Sequence, residues 1–290
     1  MKFDNAEIIT AMVTPFDEDG QVSYERLEKL INHLLSSGTK GVLVSGTTGE
    51  APTLTKSEKI ELIKKTVEFV DGRVPVIAGT GSNNTAQTIE FTNEVAKING
   101  VDAALVVVPY YNKPDQRGMI AHFTVIANAS LLPIIIYNIP GRTGVTMKVE
   151  TIATLAKVKN IIGIKDCTGS VNLSRIVAET PDDFLTYTGE DADALVAKTV
   201  GANGVISVAA HIYGSEIEEM YALVEQGKYK EAGAIMRALT PKMAAVFSAP
   251  SPSPVKAILN YKGLNVGGCR LPILELPEER LKQLIKILNI

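Results

Sequence analysis

Lysine 165 closes the apolar run Asn160-Ile161-Ile162-Gly163-Ile164-Lys165-Asp166, and an amine in such a setting can form an imine with a ketone. Side chains along a strand alternate faces, so Lys165 shares a face with Gly163 and Ile161, and Ile162 and Ile164 point the other way. In a closed barrel that face is the interior, and Gly163 would leave space below the amine. Aliphatic walls favour the neutral form that nucleophilic attack requires. The competing reading is a strand-end lysine that snorkels to solvent.

Other segments offer partners for such an amine. In Ser45-Gly46-Thr47-Thr48-Gly49-Glu50, glycines let the backbone bend, and successive N–H groups beside two hydroxyls suit a carboxylate; a plain turn is the alternative. Gly79-Thr80-Gly81-Ser82-Asn83-Asn84 lacks the lysine of a phosphate loop and reads as a turn and helix cap. Tyr110 and Tyr111 are adjacent phenols in a Pro-bounded loop, suited to proton transfer, an interface or simple packing. In Tyr137-Asn138-Ile139-Pro140-Gly141-Arg142-Thr143, Tyr137 alternates with Ile135 and can face a barrel interior. Arg142 stands in a Gly-flexed loop, where a guanidinium can fork onto a carboxylate or remain merely solvated. Glu190 and Asp191, after Tyr187-Thr188-Gly189, are expected to cap a helix starting near Asp193.

His33 and His122 fall in or near helical patterns, and His211 has no second ligand near it in sequence. With no H-x-H or H-E-x-x-H, a metal-dependent aldolase or hydrolase is disfavoured. Protons would then move through the hydroxyls of Thr47, Tyr111 and Tyr137. Lysine, hydroxyls, anion nest and arginine together point to imine chemistry on a small keto acid.

The elements that must position these groups repeat one pattern: a short β-branched run, a polar or Gly-rich loop, then an amphipathic stretch. The runs are Ile8 to Thr14, Gly41 to Gly46, Val74 to Gly79, Ala103 to Pro109, Pro133 to Asn138, Ile161 to Lys165, Phe184 to Gly189 and Gly204 to Val208. Each is apolar enough to be buried on both faces, the mark of a parallel sheet. Helical patterns lie between them, as at Tyr24 to Ser37, Ser57 to Val70, Ala86 to Asn99 and Val149 to Ala156. Ser23, Thr55 with Glu58, Gly38 and Gly100 supply start and stop signals. This predicts a (β/α)₈ barrel. A doubly wound open sheet would want a G-x-G-x-x-G turn after the first strand, where the chain has Val13-Thr14-Pro15-Phe16. Further helices are expected at Ser215 to Glu225, Tyr229 to Phe247, Val255 to Tyr261 and Pro277 to Leu288, with a hinge at Ala249-Pro250-Ser251-Pro252-Ser253-Pro254. The division expected is a catalytic barrel over 1–224 and a helical region over 225–290.

The chain has 290 residues, ample for a barrel of about 250. Its net charge of −3, with both signs interspersed, argues against nucleic acid or anionic lipid as a partner. No apolar run approaches a membrane span, and the acidic amino terminus does not read as a leader, so a cytoplasmic location without membrane attachment is expected. Cys167 and Cys269 are far apart and are expected to be free thiols.

The segments Gly46 to Glu50, Val74 to Gly81, Pro109 to Pro114, Tyr137 to Thr143, Ile164-Lys165 and Gly204 to Val208 are ordered and spaced as in the dihydrodipicolinate synthases, also called 4-hydroxy-tetrahydrodipicolinate synthases, which the chain resembles from end to end. The resemblance implies a lyase of the class I aldolase type in diaminopimelate and lysine biosynthesis. It implies that Lys165 forms an imine with pyruvate, with no cofactor and no metal, and that the enamine attacks L-aspartate 4-semialdehyde. The pyruvate carboxylate would rest on the Thr47 and Thr48 amides, near the backbone of Gly189 and Ile206. Tyr137 would move protons, Thr47 would link it to Tyr111, and Arg142 would hold the semialdehyde carboxylate. In the family the tyrosine matching Tyr111 comes from a neighbouring subunit, which implies a homo-oligomer, commonly a tetramer built as a dimer of dimers. N-acetylneuraminate lyase and 2-keto-3-deoxy sugar acid aldolases share the lysine and tyrosine and form the alternative. A barrel that only binds keto acids is the alternative of another class.

The chain departs from the family in places. Asp166-Cys167 replace a common Glu-Ala, and Ser251-Pro252-Ser253-Pro254 replaces Asn-Pro-x-Pro. Where lysine-inhibited members carry histidine and glutamate, the matching residues here are Lys56, Lys59 and Gln87. A bound lysine would meet cations there, so feedback by lysine is expected to be weak or absent.

Overall fold

The computed structural model describes residues 3–290. Its strands are β1 (Ile8–Ala11), β2 (Gly41–Val44), β3 (Val76–Gly79), β4 (Ala103–Val107), β5 (Ile134–Asn138), β6 (Ile161–Asp166), β7 (Leu185–Thr188) and β8 (Gly204–Ser207). They follow one another around a closed barrel, and every registered pair is parallel. The (β/α)₈ expectation is borne out, because strands covered on both faces must be almost wholly apolar and each crossover must hold a helix.

Helices α1 (Tyr24–Ser36), α2 (Lys56–Val70), α3 (Thr85–Val95), α4 (Gln116–Ala129), α5 (Pro140–Thr143), α6 (Val149–Leu155), α7 (Ser170–Glu179) and α8 (Ala194–Thr199) occupy the connections. After β8 come α9 (Ala210–Glu225), α10 (Tyr229–Val246), α11 (Ser253–Tyr261) and α12 (Glu278–Leu288). The helix starts follow local chemistry. Thr55 and Glu58 form a reciprocal capping box at α2, and Asn84 and Asp115 accept from Gln87 N–H and Gly118 N–H at α3 and α4. Helix α1 begins after Ser23, whose hydroxyl accepts from Arg26 N–H at 3.5 Å.

The chain forms two compact units. One comprises residues 3–7 with Pro75–Ile206, and the other Ile8–Val74 with Ser207–Ile290. In the first, β3 to β8 run in register, with one irregularity: Ile134 pairs with Ile161, but Ile135 pairs with Gly163. The extra residue, Ile162, is a bulge, so simple alternation fails at the start of β6 and holds from Gly163 onward. The core of this unit is aliphatic, with Ile134, Ile135, Ile136, Val106 and Ile164 fully buried. In the second unit β1 pairs with β2, Ile9 opposite Gly41, and Leu27, Leu30, Ile31 and Leu34 bury one face of α1.

Two expectations are corrected. Arg142 lies not in a flexed loop but on the single turn of α5, started by Pro140 and ended by Gly144 at φ +72°. Glu190 makes no side-chain capping hydrogen bond at the turn that follows β7, and Asp191 lies inside that turn as its first residue, although the turn begins where expected.

Candidate active site

In the first unit, one row across the sheet reads Val107, Tyr137, Lys165, Tyr187 and Gly204. Register places Tyr137 and Lys165 on the same face, and the Lys165 ammonium nitrogen lies 4.5 Å from the centre of the Tyr137 ring. Lys165 is only 5% exposed and makes no ion pair among the described residues. The snorkelling alternative is therefore excluded for this side chain.

Two glycines shape this row. Gly163 does not simply leave room beneath the amine: a Cβ there would stand 2.5 Å from Leu185 O, so its role is to let β6 and β7 approach. At Gly189 a Cβ would strike Cys167 Sγ and come within 2.6 Å of Lys165 Cε. The Gly189 backbone thus lies directly against the lysine stem, and its N–H donates to Asp166 O at 2.8 Å. Ile206 is fully buried near the end of β8.

Around the row the carboxyl ends of β5 and β6 are tied together. Asn138 donates from Nδ2 to Asp166 Oδ1 at 2.8 Å and to Met147 O at 3.1 Å, and its Oδ1 accepts from Met147 N–H. Asp166 also accepts from the N–H and hydroxyl of Thr168. Burial outweighs these hydrogen bonds and raises the Asp166 carboxyl above the usual range. The Asn138–Met147 pair closes the segment that carries α5, and with it Arg142, whose guanidinium is exposed and has no ion-pair partner among the described residues. Sequence reasoning missed Asn138 and Asp166 as positioning groups. It also passed over Tyr187, fully buried beside Lys165 in register, with a hydroxyl that has no partner among the described residues.

Cys167 is a free thiol, and burial pushes it up to about 12, which keeps it protonated and unreactive. Burial also raises the nearby Glu190 carboxyl. The Glu190 N–H donates to the Thr188 hydroxyl at 3.1 Å.

Tyr111 is separate from this cluster, 88% exposed and at φ +71°. Asn112 N–H donates to Tyr110 O at 2.8 Å, which makes Tyr111 the centre of a γ-turn of the rarer, strained hand. Asn83 and Asn112 brace the turn through Asn83 Nδ2 to Tyr110 O and Asn112 Nδ2 to Asn83 O. Strain kept at an exposed tyrosine is a sign of function.

Thr47 and Thr48 belong to the second unit, in the turn after β2. Glu50 N–H donates to Thr47 O at 3.0 Å, Ala51 N–H to Gly46 O at 3.2 Å, and the Thr14 hydroxyl to Gly49 O at 2.6 Å. Thr48 is buried, and so is Ser45, whose hydroxyl has no partner among the described residues. No cluster of three or more His, Cys, Asp or Glu among the described residues suits a metal ion. None of their helices is long and apolar enough to cross a membrane.

Known proteins share this arrangement throughout the chain. Residues 4–290 match the model of the dihydrodipicolinate synthetase family. The 4-hydroxy-tetrahydrodipicolinate synthase of Ligilactobacillus salivarius is 63% identical over 290 residues, all of both chains. Among solved structures, a dihydrodipicolinate synthase of Bacillus anthracis superposes with a TM-score of 0.96 at 45% identity, covering 98% of each chain. The synthase of Cyanidioschyzon merolae, solved with lysine bound, superposes with a TM-score of 0.94 at 42% identity over 99% of each chain. The expected resemblance is borne out, and it favours the synthases over the sugar-acid lyases. By sequence along its whole length and by the barrel it folds into, the chain belongs to the dihydrodipicolinate synthetase family.

Proposed function

We propose that the chain condenses pyruvate with L-aspartate 4-semialdehyde through an imine on Lys165, supplying the cyclic precursor of diaminopimelate and lysine. The observation that carries this reading is the Lys165 amine, buried, free of ion pairs among the described residues and set over the Tyr137 ring. The neutral amine adds to the pyruvate ketone, and loss of water leaves the imine. Removal of a methyl proton gives the enamine, whose carbon attacks the semialdehyde carbonyl. The amine of the adduct then attacks the imine carbon, which closes the ring and releases Lys165. No cofactor enters these steps.

In this reading Thr47 and Thr48 hold the pyruvate carboxylate, with the backbone of Gly189 and Ile206 beside it. Tyr137 gives and takes protons at the substrate, and Arg142 receives the semialdehyde carboxylate, for which its unpaired guanidinium is suited. Tyr111 of the partner subunit completes the proton relay through Thr47. A phenol presented outward on a strained turn supports that assignment, and with it a homo-oligomer, which we take to be a dimer of dimers. Two free thiols fit a cytoplasmic enzyme.

The test is to incubate the protein with pyruvate and borohydride and map the reduced adduct. Modification at Lys165 is expected; modification elsewhere, or none, overturns the mechanism. Adding the semialdehyde must then give the cyclic product, whereas cleavage of N-acetylneuraminate in its place would make the chain a sugar-acid lyase.

A further inference from the structure

The turn between β2 and α2 is bracketed by two L-residues in the left-handed region, Ser45 at φ +56° and Glu50 at φ +54°. Such backbone is unfavourable outside glycine and persists where surrounding contacts over-determine it. Those contacts come from the carboxyl-terminal part of the chain. Glu50 Oε1 lies 2.7 Å from Lys256 Nζ, and both side chains are 2% exposed. Glu50 Oε2 accepts from Arg270 N–H at 2.8 Å. Lys256 Nζ also donates to Gly268 O at 2.6 Å and stands 4.1 Å from the centre of the Phe16 ring. The Arg270 guanidinium lies 4.5 Å from the same ring, donates to Thr53 O and Gly20 O, and forks onto Glu58, the capping-box carboxylate of α2.

A buried ion pair of this kind contributes little net stability, because desolvation of both charges opposes their attraction. Burial does lower the Lys256 amine, and Glu50 works against that shift. What the pair supplies is geometry: a fixed distance between α11 and the residue that ends the turn. We infer that Lys256 and Glu50 are positioning residues that hold the Gly46–Glu50 turn in the shape its amides need to grip the pyruvate carboxylate. The inference rests on the imine reading above. Neither side chain is placed on substrate; each acts through the backbone of Thr47 and Thr48, which lies between Ser45 and Glu50.

A positioning role of this kind is selective. Loss of the pair loosens the nest for pyruvate and leaves Arg142, on the other unit, to receive the semialdehyde unchanged. The experiment compares wild type, Lys256→Met and the charge-balanced Glu50→Gln/Lys256→Met, which leaves no buried charge unpaired and retains its fold if the single variant does not. Lys165 trapping by borohydride is followed against pyruvate concentration, and the KM of each substrate is measured. The half-saturating pyruvate concentration is expected to rise by about tenfold or more in the double variant, the scale of one charge-assisted contact, with the semialdehyde KM within about twofold of wild type. A folded double variant whose pyruvate dependence is unchanged, or in which both substrates weaken together, overturns the inference and leaves the imine mechanism standing. Absence of a Lys165 adduct in the wild type overturns both.

Discussion

His211 provides a pH-dependent contribution to stability that can be isolated by one substitution. It is fully buried; its Nδ1–H donates to Val208 O at 2.8 Å, and its Nε2 accepts from Val13 N–H at 3.1 Å. Both contacts fix the imidazole as the neutral tautomer, and burial lowers its pKa from 6.5 to about 4. Between those two values the unfolded chain binds a proton that the folded chain does not, so stability is present above pH 6.5 and is lost as pH falls. The full effect of such a shift is about 3 kcal/mol, and of this roughly 2 kcal/mol is lost between about pH 7.5 and about pH 5. His211→Gln removes the proton-binding group. At about pH 7.5 it is expected to be less stable than wild type by roughly 1–3 kcal/mol, because the Val13 N–H loses its acceptor. By about pH 5 the gap should narrow by roughly 2 kcal/mol. The assay is urea unfolding at one protein concentration, followed by circular dichroism. Asp166, Glu190 and Asp193, whose carboxyls are raised by burial, gain stability on acidification in both proteins and cancel in the difference. A gap between variant and wild type that is constant or widens on acidification refutes the reasoning.

Three further expectations concern the site. Arg142→Ala should raise the semialdehyde KM by about tenfold or more while Lys165 trapping by pyruvate stays near wild type; equal effects on both substrates would remove the arginine from its assigned role. Gly189→Ala places a Cβ against Cys167 Sγ and 2.6 Å from Lys165 Cε, so trapping should slow by about tenfold or more. Adding Cys167→Ala should restore only part of that rate, since the second clash remains, and full activity of Gly189→Ala alone would contradict the geometry. Turnover is expected to be insensitive to sub-millimolar lysine, on the expectation from the family resemblance that Lys56, Lys59 and Gln87 match the histidine and glutamate of lysine-inhibited members. Inhibition in that range, measured with both substrates near their KM, would refute this expectation.

The barrel was legible because its signals are local. A strand buried on both faces must be apolar throughout, and a capping box such as Thr55 with Glu58 is written within four consecutive residues. The same is true of Tyr137 and Lys165, each in phase with its own strand. What escaped depends on registers and pairings that no local period records. The bulge at Ile162 shifts β6 against β5, and the close approach of β7 explains Gly163 better than a space beneath the amine. Asn138 and Asp166 are unremarkable alone and become a clamp only when register sets them opposite each other.

The two lysines buried among the described residues show why this matters for chemistry. By composition Lys256 is the plainer residue, following a Pro-rich hinge where a solvated side chain is the ordinary expectation. In the fold it is the more buried of the two, yet a carboxylate at 2.7 Å and a carbonyl at 2.6 Å occupy its ammonium group. An amine so engaged has its nitrogen occupied and is not open to a ketone. Lys165 is buried beside a phenol ring without an ion pair among the described residues, so nothing at that nitrogen competes with an incoming carbonyl. Burial alone does not mark a nucleophilic lysine; burial with the nitrogen free of ion pairs does. By that criterion borohydride should fix pyruvate on Lys165 and leave Lys256 unlabelled, and a label on Lys256 would reverse the assignment.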